Sequence, residues 1–331
     1  MKAKLVKEKL NKKTPLLISP FGFALAACGG GTTQPANQSD AEINVRVFEV
    51  ESRDSFNIDG IYHNPSWYFV DAADINQDGK SDVVIAPVGH VLDYQRAFDP
   101  IVLLSQSDNN FAQAEVLGDW DGLLFPSKVV IFDLDLDGDL DFISSANGYD
   151  APPFPKENFG IFLQDALSFT DVNDQYPTLF NSTRGDGSGS FYHSVAVGDL
   201  NHDTIPDIFM GDMRDPFIID GATQQLISVG QLTDPNVGGS QILTSEAVDF
   251  VGDQKLELVL TGNMFNSQIF EFDAEYNIIN VIELPAPNSL ADRSGLQLGI
   301  AAGDLNNDGL TDLVLTLATE SYSSGELQIL I

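Results

Sequence analysis

Hydrophobic positions along this chain come in short runs, and from residue 43 onward almost every run has the length and alternation of a β-strand. Ile43-Asn-Val-Arg-Val-Phe-Glu-Val50 alternates apolar and polar positions, the pattern of a half-buried strand. Trp67-Tyr-Phe-Val-Asp-Ala-Ala73, Val83-Val-Ile-Ala86, Pro100-Ile-Val-Leu-Leu-Ser105 and Phe111-Ala-Gln-Ala-Glu-Val-Leu117 come next as four further strands. The same succession is legible four more times. It opens at Lys128-Val-Val-Ile-Phe132, Ser194-Val-Ala-Val-Gly198, Glu246-Ala-Val248 and Gly299-Ile-Ala-Ala-Gly303. No stretch carries a 3.6-residue apolar period with capping residues, so an all-β fold is expected.

Between the first two strands of each unit lies an acidic loop. The densest is Asp133-Leu-Asp-Leu-Asp-Gly-Asp-Leu-Asp141, with carboxylates at positions 1, 3, 5 and 9 and glycine at position 6. Carboxylates packed this closely repel one another unless a cation sits among them. A hard ion that takes six to eight oxygens, calcium, matches the donor set. Asp133, Asp135, Asp137 and Asp141, with the carbonyl of Asp139 at position 7, are the expected ligands. The loop resembles the first half of an EF-hand. The EF-hand glutamate at position 12 is replaced by Ser144, and a strand comes after it where a helix would.

The loop recurs with first positions at 74, 133, 199, 249 and 304. The first copy offers Asp74, Asn76, Asp78, Asp82 and the carbonyl of Lys80. The third offers Asp199, Asn201, Asp203, Asp207 and the carbonyl of Ile205, and the fifth Asp304, Asn306, Asp308, Asp312 and the carbonyl of Leu310. In the third, Thr204 stands where glycine is expected, and a β-branched residue at positive φ costs about 1–2 kcal/mol. In the fourth, Val251 removes a ligand and Gln254 replaces the glycine. That loop is expected to be empty and Asp253 dispensable, which leaves about four calcium sites by ligand charge and number. Repeats of this length point to a β-propeller or another repeat array. The fifth unit stops one strand short at Ile331, and Asn44–Val50 has no place in the first. A five-bladed ring of four-stranded antiparallel sheets, closed by this N-terminal strand, is the expected architecture over 43–331.

Ser194-Val-Ala-Val-Gly-Asp-Leu-Asn-His-Asp203 and Ala301-Ala-Gly-Asp-Leu-Asn-Asn-Asp-Gly-Leu-Thr-Asp-Leu-Val314 resemble FG-GAP and VCBS repeats, the calcium-loop repeats of the integrin α propeller and of many bacterial secreted proteins. The resemblance spans about 43–331. It implies a propeller with calcium in the first hairpin of each blade. It implies no activity, since adhesins, lectins and lyases share such repeats.

Charge narrows the partners. Six of the 16 basic residues lie in the first 13 positions beside one acid, Glu8, while the chain holds 49 acidic residues in all. The remainder of the chain is strongly anionic, which argues against nucleic acid and against docking on anionic lipid. The basic start, the apolar run Pro15–Ala27 and Leu25-Ala26-Ala27-Cys28 look like a bacterial lipoprotein signal. The expectation is a signal peptide over 1–27, lipidation of Cys28 (the single cysteine), and a flexible tether over 28–42. The apolar run is shorter than the roughly 20 residues that span a bilayer, so membrane contact runs through the lipid alone. Gly29 lacks the acidic signal for inner-membrane retention. An outer-membrane or cell-surface address is implied, with a periplasmic-facing position as the other option.

No His-Glu-x-x-His, Cys-x-x-Cys, Gly-x-Ser-x-Gly or P-loop pattern occurs, and no catalytic residue is assigned. His63 and His193, near Trp67 and Tyr192, are candidates for a propeller mouth or for packing. His202 is expected to face solvent. Asn147–Pro155 is an aromatic, proline-rich loop suited to stacking or to rigid connection, and Arg184-Gly185-Asp186 is a short motif common by chance. The expected function is a monomeric, calcium-stabilised surface module that binds a glycan or a protein. The alternatives are a polysaccharide lyase or hydrolase with structural calcium, and an assembly scaffold.

Overall fold

The structure, a computed structural model, describes residues 67–88, 97–106, 111–117, 122–148, 159–172, 175, 191–212, 216–229, 232, 241–263, 267–285, 295–319 and 325–331. The signal segment, Cys28, the tether, the strand expected at 43–50, His63, Arg184-Gly185-Asp186 and residues 149–155 lie outside these. The described residues form twenty strands and no α-helix.

Five units succeed one another in chain order. Blade 1 holds β1 (Trp67–Ala73), β2 (Asp82–Val88), β3 (Ile101–Ser105) and β4 (Phe111–Gln113), paired in that order. Blade 2 holds β5 (Glu115–Leu117), β6 (Pro126–Phe132), β7 (Asp141–Ala146), β8 (Gly160–Asp165) and β9 (Ser168–Asp171). Blade 3 runs β10 (Tyr192–Gly198), β11 (Asp207–Asp212), β12 (Phe217–Ile219) and β13 (Leu226–Ser228). Blade 4 runs β14 (Gln241–Val248), β15 (Glu257–Asn263), β16 (Gln268–Phe272) and β17 (Ile278–Glu283). Blade 5 has β18 (Gly295–Gly303), β19 (Asp312–Thr319) and β20 (Gly325–Leu330). The meander is antiparallel in every blade, and the first strands β1, β6, β10, β14 and β18 lie successively side by side. This is a five-bladed β-propeller built mostly of four-stranded antiparallel sheets.

One strand expected from the sequence divides. Phe111–Leu117 reads as a single run, but it breaks at Ala114. Its first half closes blade 1, and its second half, β5, pairs in parallel with β9 as an extra outer strand of blade 2. Ala114 is buried and its N–H bonds to the Val102 carbonyl, which anchors the crossing point. The chain thus laces two blades together over three residues on each side.

The cores lie between blades. Ile75, Val84, Val102 and Leu104 of blade 1 meet Val129, Phe142, Phe162 and Phe169 of blade 2. Blade 2 meets blade 3 through Ile143, Phe159 and Ile161 against Tyr192, Val195 and Met210, where the Tyr192 ring stands edge-on to Phe159 and Phe217. Leu200, Phe209 and Ile218 meet Leu258, Phe270 and Tyr276 at the next junction, and Val259, Ile269 and Leu284 meet Leu313, Leu315 and Leu317 at the last. Strands held on both faces read as nearly unbroken runs of apolar or small residues. β7 and β11 are buried at every position. Among the described residues no such cluster joins blade 5 to blade 1. There β20 alternates between exposed and half-buried, with Leu327 and Ile329 about 40% exposed.

Candidate metal centre

All five acidic loops connect the first two strands of a blade, so all five lie along one rim. Neighbours touch there. Gln77 Nε2 of loop 1 donates to the Gly138 carbonyl of loop 2 at 3.0 Å. A Cβ on Gly252 of loop 4 would come 3.1 Å from Leu310 Cδ2 of loop 5.

Each loop is folded by its own carboxylates. In loops 1, 3 and 5 the position-1 aspartate accepts N–H bonds from positions 5 and 6: Asp78 and Gly79 onto Asp74, Asp203 and Thr204 onto Asp199, Asp308 and Gly309 onto Asp304. The position-5 carboxylate accepts the N–H of position 7 in all five loops, from Lys80, Asp139, Ile205, Lys255 and Leu310. These bonds need two left-handed residues per loop. Position 6 is left-handed throughout, with Thr204 at φ 74° and Gln254 at 71° where the others have glycine. Position 4 is left-handed as well, at Gln77, Leu136, His202, Gly252 and Asn307. The worn fourth loop therefore keeps a glycine, moved from position 6 to position 4.

Position 9 is the keystone. Asp82, Asp141, Asp207, Glu257 and Asp312 are at most 2% exposed. One oxygen of each accepts the N–H of position 2: Ile75, Leu134, Leu200, Phe250 and Leu305. In the first three blades the second oxygen reaches across the sheet, to the N–H of Ser105, Gln164 or Gly221. The acid thus staples the loop to the third strand or the turn after it. Burial pushes the Asp141 carboxyl up to about 6, and it likewise raises Asp207 and Glu257. Burial, then the charge of Asp137, raises Asp135.

The expected ligands come together unevenly. In loop 2, Asp133, Asp135 and Asp141 each bring a carboxylate oxygen within 4.8 Å of the others. Asp133 Oδ1 is buried there with no hydrogen-bond partner, an atom that a bound cation would satisfy. These residues fit a hard divalent ion. In loops 1, 3 and 5 the acids stay further apart. Lys80 pairs with Asp78 at 3.0 Å, and the Asn201 and Asn306 amides donate to Asp203 and Asp308. In loop 4, expected to be empty, Asp249, Asp253 and Glu257 meet within 4.8 Å.

Loop 3 carries a partner that the sequence does not announce. Tyr276, from the β16–β17 turn of the next blade, donates to Asp207 Oδ1 at 2.7 Å and approaches Asp220 Oδ2 at 2.8 Å. A phenol has one proton, so it donates to only one of the two carboxyls at a time, and burial raises Asp207. Burial also works against ionised Asp220, but bonds from Thr223 and Tyr276 outweigh it and hold that carboxyl low. Burial raises the Tyr276 phenol. His202 is half-buried with Nε2 enclosed, so it does not face solvent as expected.

The inner wall is polar. Lys128 of β6 reaches Glu246 of β14 at 2.8 Å and also bonds the Ser245 carbonyl. Ser194 and Ser245 share a hydrogen bond at 2.5 Å between β10 and β14.

The chain is thus a five-bladed propeller with a rim of five acid-folded loops. No family model matches it and no curated protein matches it. Among solved structures it is similar to the extracellular domain of a hybrid two-component system of B. thetaiotaomicron, with 9% identity, TM-score 0.38 and coverage of 82% of this chain and 29% of that one. It is also similar to the Dos1 propeller, with 10% identity, TM-score 0.40 and coverage of 75% and 56%. A third is an exo-β-1,3-galactanase of Phanerochaete chrysosporium, with 10% identity, TM-score 0.39 and coverage of 75% and 55%. The chain spans less than a third of the first and a little over half of the other two. At this level of similarity, the blade assignment rests on the strand pairing of this chain itself.

Proposed function

We propose that the chain is a calcium-stabilised β-propeller, lipid-anchored through Cys28 at the bacterial surface, that binds a glycan or a protein. The observation that supports it is one loop architecture repeated around one rim, with a buried, partnerless carboxylate oxygen in loop 2. Asp133, Asp135, Asp137 and Asp141 hold the ion in loop 2, and the corresponding residues of loops 1, 3 and 5 turn onto their ions when calcium enters. The ions act structurally: a ligand that binds only the folded state stabilises it by mass action. Residues 43–50 supply the fourth strand of blade 5, since β20 has no outer neighbour among the described residues.

Thermal melting of the full chain in calcium and in excess chelator tests this reading. A rise of several degrees in calcium is expected, and coincident melts would refute it. A second reading, a glycan-cleaving enzyme with structural calcium, draws on Glu246, a partly exposed carboxylate on the inner wall held by Lys128. Glycan-array binding without product supports the first reading, whereas release of oligosaccharide that Glu246→Gln abolishes supports the second.

A further inference from the structure

We infer that the fourth loop, Asp249 to Glu257, is a cation site in its own right, in which Asp249, Asp253 and Glu257 hold a hard divalent ion completed by water. The inference rests on the reading that these loops take cations, and it reverses what the loop's own sequence suggests. Val251 offers no ligand at position 3 and is 50% exposed. Three acids nevertheless converge here, which those of loops 1, 3 and 5 do not.

The cause is the longer side chain at position 9. Glu257 keeps the staple, because Oε2 accepts from Phe250 N at 2.8 Å and Val251 N at 3.2 Å. In blades 1 to 3 the other oxygen of the aspartate is spent on a cross-sheet N–H. The extra methylene of Glu257 carries its carboxylate past that role. Oε1 is buried in a residue only 1% exposed and has no hydrogen-bond partner. A carboxylate oxygen enclosed without a donor costs about 1–3 kcal/mol or more. Beside two further carboxylates, a cation is the group that satisfies it.

The rest of the loop is built as in its neighbours. Asp249 accepts from Gly252, Asp253 and Gln254, and Asp253 accepts from Lys255. Gly252 takes the first left-handed turn at φ 82° without strain. Three carboxylates are fewer than calcium's usual set of six to eight oxygens, so several places go to water. The ion is therefore a partly hydrated calcium or magnesium, bound more weakly than in loop 2.

The test is metal stoichiometry of the full chain after equilibrium dialysis against calcium chloride, read by elemental mass spectrometry. Glu257→Gln keeps an oxygen for the Phe250 and Val251 N–H groups and removes the charge. Asp253→Asn changes an exposed side chain. Each variant is expected to bind one ion fewer than the parent, with a melting temperature in chelator no lower than the parent's. Equal stoichiometry in parent and both variants overturns the inference and leaves the loop 2 site standing. A parent that binds no ion overturns both readings.

Discussion

Replacing Thr204 with glycine should stabilise the protein. Thr204 sits at φ 74°, where Cβ crowds the backbone and a β-branched residue costs about 1–2 kcal/mol. Its side chain is exposed, so little packing is lost, and its N–H bond to Asp199 belongs to the backbone and survives. Glycine gives back roughly 0.5–1 kcal/mol through the greater entropy of the unfolded chain. The net gain is about 0.5–1 kcal/mol, or roughly 1–4 °C in Tm for a domain of this size. The mirror change is Gly138→Ala in loop 2. That glycine has φ 98°, and a Cβ there meets nothing within 4 Å. Its cost of about 1 kcal/mol is therefore backbone strain alone. Urea unfolding in chelator measures both without any contribution from metal. Thr204→Gly at or below the parent, or a neutral Gly138→Ala, would show that position 6 stores no strain.

Asp137→Ala should lower the Tm in calcium by the share that loop 2 contributes while leaving the chelated protein within about 0.5 kcal/mol of the parent, because the residue is exposed and its side chain accepts only the Asp139 N–H; equal loss in both conditions, by parallel melts, would refute a ligand role. Tyr276→Phe should cost about 1–3 kcal/mol in urea unfolding, since it strips a hydroxyl from two buried carboxyls. In chelator, stability should fall as pH rises from about 4 through 6. The folded Asp141 carboxyl, at about 6, holds a proton there that the unfolded chain has released. The share from Asp141 is at most about 3 kcal/mol, because each tenfold gain in proton affinity on folding is worth about 1.4 kcal/mol. Asp141→Asn should flatten that fall, and a parent and variant with parallel pH profiles would remove Asp141 as its source.

Much of the fold is legible in the sequence because the acids of each loop are local. Positions 1, 5 and 9 fold the turn onto itself within nine residues, so their spacing predicts the hairpin and five hairpins predict five blades. The features hidden from the sequence depend on distance. The split at Ala114 needs β9 in place, more than fifty residues on. Nothing in the spacing of loop 3 points to Tyr276, which arrives from the next blade. Loop 4 misleads for a different reason. Motif reading counts Val251 at position 3 and Gln254 at position 6 as losses, yet Glu257 at position 9 keeps its second oxygen enclosed without a strand donor.

Position 2 of the loops bears on whether the ring closes. Ile75, Leu134, Leu200 and Phe250 each tuck into or against the cluster between their own blade and the next. The same position in loop 5 is Leu305, and it is 58% exposed. Its N–H is stapled by Asp312 like the others, so the side chain is held where a following blade would receive it. Across the gap in sequence order stands blade 1, whose first strand exposes 60% of Val70. Burying two such side chains is worth about 1.5–3 kcal/mol each. Leu305→Asp should therefore destabilise the full chain by more than about 1 kcal/mol if a neighbour covers this junction in solution. If the substitution is silent in urea unfolding, Leu305 faces water there, and the ring is open between blade 5 and blade 1.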